Sequence, residues 1–280
     1  MNRYPYTWEQ AIEILRKDPR HEALIRDSYL TADVHENARR FADSEEFAEV
    51  LRIIREQRPD CSKVLDLPGG NGIASFAFAK AGYAVSVVEP DPSASVGRGA
   101  IEAVLRGAGL QADVVNAYGE QLPFGDESFD VVYVRQGLHH ARDLPQMVSE
   151  LARVLKRGGT LAATREHVVD DYGSSLQAFL DSQVDHQLYG GEHAFTLRDY
   201  RAAFAAAGLE TVLELGPYDS PINVYPNTPA TLQQKILASG PGRLLGFVLP
   251  KEWVTRLGMW RLRSAKMPGR LYSFVMRKEQ

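Results

Sequence analysis

The chain has 280 residues, 44% of them apolar and 24% charged, ordinary values for a globular protein with a sizeable core. A single cysteine, Cys61, excludes a disulfide framework or a site built from several thiolates, and no apolar run is long enough to span a membrane. A net charge of −4 argues against nucleic-acid binding, yet residues 251–280 hold eight Lys or Arg against two Asp or Glu. The polar start, without a signal-peptide core, makes the cytoplasm the expected location.

Residues 7–57 read as helices. Thr7 caps the first, with Gln10 as its capping-box partner, and Ser44 caps another in which Phe47, Val50, Leu51 and Ile54 recur at helical spacing. From Lys63 strands and helices alternate. Strands are expected at 63–67, 84–89, 112–116, 129–135 and 158–167, and helices at 72–82, 93–109 and 143–156. This alternation predicts βαβ units around a parallel sheet. The rhythm breaks after His167. A helix over 196–207 and strands over 209–215 and 271–278 follow, the last two separated by some 55 Pro-rich residues that read as an ordered cap.

VLDLPGGNG (64–72) is a strand running into a Gly-rich turn and a helix, and Glu89 ends the next strand. The glycines let a ligand approach the backbone, and an acidic residue at that place can accept from both hydroxyls of a ribose. Gly70-x-Gly72-x-x-Ser75 also partly matches a dinucleotide fingerprint, which leaves an NAD-dependent oxidoreductase as an alternative.

Three segments resemble the class I S-adenosylmethionine-dependent methyltransferases, in particular the type 11 domain group. VLDLPGGNG is similar to their first motif, EQLPFGDESFDVV (120–132) to the approach to their fourth strand, and LHHARDLPQMVSELARVLKRGGTL (138–161) to the helix and fifth strand that follow. The resemblance implies a Rossmann-like α/β fold with a seven-stranded, mostly parallel sheet and an antiparallel last strand. It implies S-adenosyl-L-methionine as cofactor, bound by Asp66, Pro68, Gly69, Gly70, Asn71, Gly72, Glu89, Pro90, Tyr118, Gly119, Glu120 and Gln136. Pro68 replaces the first glycine of the family motif. Tyr118 stands where the family commonly has an aspartate for the adenine, which leaves that base to stacking or to backbone at Gly119 and Glu120. The expected organisation is an N-terminal helical lid (1–60), a cofactor-binding core (61–216), a cap insertion (217–268) and the last core strand (269–280).

Methyl transfer needs alignment and often a proton acceptor, for which histidine is suited. His139 and His140 follow the fourth strand and His167 the fifth. His140 is the preferred base, with His167 and His139 behind it. Tyr29, Arg165, Tyr189, His193, Tyr218, Asn223 and Tyr225 are the expected acceptor contacts, and Tyr29, Arg40 and Phe41 are candidates for the lid. His139, His140, Glu166, His167, Asp170 and Asp171 could ligate a metal. However, adjacent histidines diverge on a turn and no spaced pair shares a helix face, so no metal is expected. The expected reaction is O-methylation of a small molecule such as a sugar, a lipid-linked glycan or a polyketide-like scaffold. A non-catalytic binding protein on the same fold is a further alternative. In KEWVTRLGMWRLR (251–263), Trp253, Val254, Leu257 and Trp260 share a helical face expected to pack on the domain. Residues 251–270 could instead touch an anionic membrane or a phosphorylated substrate.

Overall fold

A computed structural model describes residues 4–279; residues 1–3 and 280, the ends of the expected lid and of the last strand, lie outside the described residues. The strands are β1 (Lys63–Asp66), β2 (Ala84–Val88), β3 (Asp113–Val115), β4 (Phe129–Arg135), β5 (Leu155–Val169), β6 (Phe195–Thr196), β7 (Leu209–Leu215) and β8 (Arg270–Lys278). They form one sheet in the order β3-β2-β1-β4-β5-β8-β7, with the two-residue β6 paired to the end of β5. Only β8 runs against the rest, hydrogen-bonded to β5 on one side and β7 on the other. The mixed seven-stranded sheet is therefore present, with β6 as an unforeseen eighth strand too short to carry a periodic signal.

Alternation along the strands builds two apolar layers. Val64, Val131 and Tyr133 face one cluster with Phe76 and Phe78. Leu65, Val132 and Val134 face the other with Leu151 and Phe274. Helices Ile73–Lys80 and Leu144–Val154 cover opposite faces, as a sheet apolar on both sides requires. Thr7 caps the helix Trp8–Lys17 with the full capping box, and Ser44 caps Glu45–Gln57. The expected helix over 93–109 begins only at Arg98. Before it, Asp91 accepts the Ser93 amide through its side chain and the Arg98 amide through its carbonyl, which closes a turn. The helix expected to reach Lys156 stops at Val154, and Leu155 already pairs with Phe129 in the sheet.

The N-terminal helices, expected to form a lid, are fastened to the sheet by a buried ion pair. Arg135 at the end of β4 donates from Nε to Glu46 Oε1 (2.7 Å) and from a terminal nitrogen to Oε2 (3.1 Å). Glu46 is 1% exposed, and the attraction holds the Arg135 guanidinium charged despite its burial. Asn71 of the Gly-rich turn donates to the Tyr29 carbonyl, a second tie from lid to core.

Residues 170–195, where the strand–helix rhythm breaks, contain the helices Ser174–Ser182 and Val184–Tyr189. The cap insertion forms four helices: Pro221–Val224, Pro229–Ala238, Gly240–Leu245 and Lys251–Ser264. Here the packing differs from expectation. Val254 is buried and Gly258 meets Ile236 of the neighbouring cap helix, but Trp253 and Trp260 are 61% and 66% exposed. The helix packs on the cap helices rather than on the sheet, so its Trp side chains have no apolar partner surface. Trp253→Ala and Trp260→Ala should each change unfolding free energy by no more than about 0.5 kcal/mol. Phe78→Ala, in the buried layer, should cost about 3–5 kcal/mol. Denaturant titration distinguishes the two classes.

Candidate active site

Two connected cavities open at the carboxyl ends of β1, β2, β4 and β5, where ligands bind in open α/β sheets. The larger, about 520 Å³, runs from the Gly-rich turn to the histidines; the smaller, about 220 Å³, is a mainly apolar recess beside Tyr118 and Met147. Pro68, Pro90 and His140 border both.

At the turn, Gly70 has φ +52° and its amide donates to Glu89 Oε2 at 2.7 Å. Glu89 Oε1 accepts the Asp91 amide at 2.8 Å. Burial pushes the Glu89 carboxyl up to about 7, against the pull of those two amides. Gly72 (φ +85°) opens the helix, and a side chain there would press on the backbone of Ile101. Pro68 follows a cis peptide bond, and the next amide, Gly69, donates to Val88. Asp66 is buried beneath, accepts the Ser75 hydroxyl and is raised by burial to about 7. Asn71 points to the lid, as described. These residues fit a nucleoside with a charged amino-acid tail. No atom lies within 4 Å of the Cβ position at Gly70, so its backbone faces open space, and the Glu89 carboxylate stands at the wall of the same cavity. In the recess, Ala117, Tyr118, Gly119 and Met147 form an apolar slot. Arg142 covers the Tyr118 ring at 4.9 Å, and the Glu120 carboxylate caps the Arg142 amide.

The histidines line the other end. His139 is buried, and its Nδ1 is 2.7 Å from Glu166 Oε2. Glu166 also accepts the amides of Gly137 and His139. Burial pushes His139 well below its ordinary value and raises the Glu166 carboxyl. His140 Nδ1 is 2.9 Å from the Gly191 carbonyl. His167 Nδ1 is 2.7 Å from the Gly269 carbonyl, and burial lowers its pKa to about 3, so it is a neutral wall of the cavity. Gln136 borders the cavity while its side-chain oxygen accepts from Arg135. Tyr189 also borders it, packs at a tilt against Trp8 of the first helix and donates to Glu192 Oε1 at 2.8 Å.

Other expected acceptor contacts are placed elsewhere. Arg165 (φ +59°) turns away from the cavity to the carbonyls of Ile222 and Tyr225. Asn223 is buried, donating to Leu215 and Gly216 and accepting from Ser273. Tyr225 stacks on Tyr29 at 5.0 Å, Arg40 lies over that Tyr29 ring, and Phe41 packs edge-on against it. Tyr218 accepts Arg263 through its carbonyl, and His193 packs against Phe195. These residues join cap, lid and sheet, and none borders the two cavities. Trp8, Leu30, Asp185 and Glu192 do border the larger one. Of these, Asp185 and Glu192 flank the Gly190-Gly191 pair, a turn signal with acidic neighbours, whereas Trp8 and Leu30 give no chemical signal.

Residues 65–163 match the family described as "Methyltransferase domain". Sheet order, antiparallel last strand and this match define the core as a class I S-adenosylmethionine-dependent methyltransferase domain, whose cofactor is S-adenosylmethionine. The chain is 43% identical over 101 residues to a ubiquinone/menaquinone biosynthesis C-methyltransferase UbiE of Stenotrophomonas maltophilia, covering 35% of this chain and 39% of that protein. It is 34% identical over 122 residues to a demethylmenaquinone methyltransferase of Corynebacterium glutamicum, covering 42% and 48%. The chain thus spans less than half the length of these two relatives. Among solved structures, a Methanosarcina mazei SAM-dependent methyltransferase superposes with TM-score 0.52 at 16% identity, covering 81% and 97% of the two chains. The cyclase SpnF superposes with TM-score 0.55 at 17% identity, covering 82% and 80%. These likenesses show the fold.

Two outcomes are expected by calorimetry with S-adenosylhomocysteine. Glu89→Ala should weaken binding tenfold or more, since a hydrogen bond to a charged group contributes about 1.5–3 kcal/mol. With a carboxyl near 7, wild-type affinity should rise as pH rises through about 7, as the acceptor-only carboxylate replaces the acid. Glu89→Gln should abolish that rise.

Proposed function

We propose that the protein transfers the methyl group of S-adenosylmethionine to an oxygen of a small-molecule acceptor such as a sugar, a lipid-linked glycan or a polyketide-like scaffold. The observation that carries this reading is the pairing of His140 Nδ1 with the Gly191 carbonyl. A carbonyl only accepts, so the ring hydrogen sits on Nδ1 and Nε2 keeps a lone pair. Bound S-adenosylmethionine would supply the methyl group, leaving as S-adenosylhomocysteine, and His140 Nε2 would take the proton that the acceptor hydroxyl loses. Positioning supplies most of the rate and the base roughly 10²–10⁴-fold. His140→Ala should therefore lower kcat by at least about tenfold while leaving S-adenosylhomocysteine affinity unchanged. A loss of stability with unchanged kcat would assign the ring to loop packing instead.

The quinone-methylating relatives, by their names, favour a second reading in which the acceptor carbon belongs to a lipid quinone. What supports a lipid-borne acceptor is the cap. Leu244, Phe247, Val248, Trp253 and Trp260 are exposed there beside Arg256, Arg261 and Lys266. Large exposed apolar side chains among basic ones suit an anionic bilayer surface. Sedimentation with phosphatidylglycerol vesicles, but not with phosphatidylcholine, is the expected result, weakened by salt and abolished by Phe247→Glu with Trp253→Glu. Equal recovery with both vesicle types would remove the membrane from the reading.

A further inference from the structure

The two adjacent histidines do not diverge as a turn would suggest. His139 Nε2 lies 3.8 Å from Glu192 Oε2, and His140 Nε2 lies 4.0 Å from Glu192 Oε1. One ligand atom from each of the three residues falls within 4.8 Å of the others, at the wall of the larger cavity.

The tautomers make this juxtaposition chemically specific. His140 Nδ1 faces the Gly191 carbonyl and must carry the hydrogen. His139 Nδ1 faces Glu166, whose two oxygens already accept backbone amides, the pattern of an ionised carboxylate with Nδ1–H as the third donor. Both Nε2 atoms face the Glu192 carboxyl group, and a cation placed among them would take one ligand atom from each residue. The surroundings are those of a metal site. A carboxylate behind the first histidine and a carbonyl behind the second fix ring orientation, and the Tyr189 hydroxyl donates to Glu192 at 2.8 Å. The Glu192 side chain is 9% exposed and that of His139 2%, while His140, at 35%, leaves the approach open.

We infer that His139 Nε2, His140 Nε2 and the Glu192 carboxylate form a binding site for a divalent first-row transition-metal ion. Two imidazoles and a carboxylate suit zinc, cobalt or iron(II) rather than magnesium, which takes oxygen ligands. Ligands at about 2.0–2.2 Å from a tetrahedral ion lie roughly 3.4 Å apart, so side chains whose ligand atoms stand within 4.8 Å of one another would close on an ion by shifts of about 1.4 Å or less. Three protein ligands leave the remaining positions to the cavity. An acceptor hydroxyl bound there would be acidified by the ion. His140 would then be a ligand instead of a free base, so the site deepens the proposed methyl transfer in function while its existence does not depend on it.

The test uses the full chain stripped with a chelator and titrated with cobalt(II). One equivalent should bind and give visible ligand-field bands. Glu192→Gln and His140→Ala should each weaken cobalt affinity at least about tenfold and remove the bands, with S-adenosylhomocysteine affinity kept. Tyr189→Phe should lower affinity by about 10–100-fold with the bands retained, as expected for a partner behind a ligand. Absence of stoichiometric binding, or bands unchanged in Glu192→Gln and His140→Ala, would overturn the site. Failure of the wild type to bind S-adenosylhomocysteine would instead overturn the methyl-transfer reading, whatever cobalt does.

Discussion

The buried carboxylate of Glu166 organises the histidine end of the cleft. It reaches from β5 across to the turn after β4 and takes two amides and an imidazole of that turn. A buried charge without such partners would cost several kcal/mol. With them, the path of residues 137–140 is tied to the sheet. The directions of His139 and His140, and the wall shared by the two cavities, follow from it. The side chain that the sequence offers only as a possible metal ligand is thus the support of a loop.

A second buried charge does comparable work for the lid. Glu46 binds Arg135, the last residue of β4, one residue before Gln136 enters the cavity wall. Helix packing, the Asn71 bond to Tyr29 and this pair give the lid three separate attachments to the core. The cofactor turn and the acceptor turn are therefore each held from both sides, by the sheet beneath and by a charged or amide side chain across.

The Gly-rich half of the cleft was legible because its constraints are local. A strand, glycines at positive φ and an acidic residue ending the next strand lie within some 26 residues, and each imposes a residue type. The acceptor half depends on long-range placement. Arg165, Asn223 and Tyr225 have the polarity of a binding site, but β8 and the cap bring them together as their own partners. Glu46 sits in the first turn of a helix, where an acidic residue reads as a solvated partner of the helix dipole. Trp253 and Trp260 share a face by spacing, yet spacing cannot say whether anything lies opposite. Glu192 meets His139 only because β5, the helix Val184–Tyr189 and the turn after β4 converge.

Apart from His167, the walls that lie outside the methyltransferase-domain match come from two distant stretches, residues 8–30 and 182–192, and these touch. Trp8 packs on Tyr189 at 4.7 Å, and Tyr4 bonds to His186. Such a contact couples the two stretches. A substitution that reshapes the cavity wall in one must be accommodated by the other, whereas the Gly-rich side can stay as it is. A change in the shape of this wall would then proceed through paired substitutions at sites far apart in the sequence.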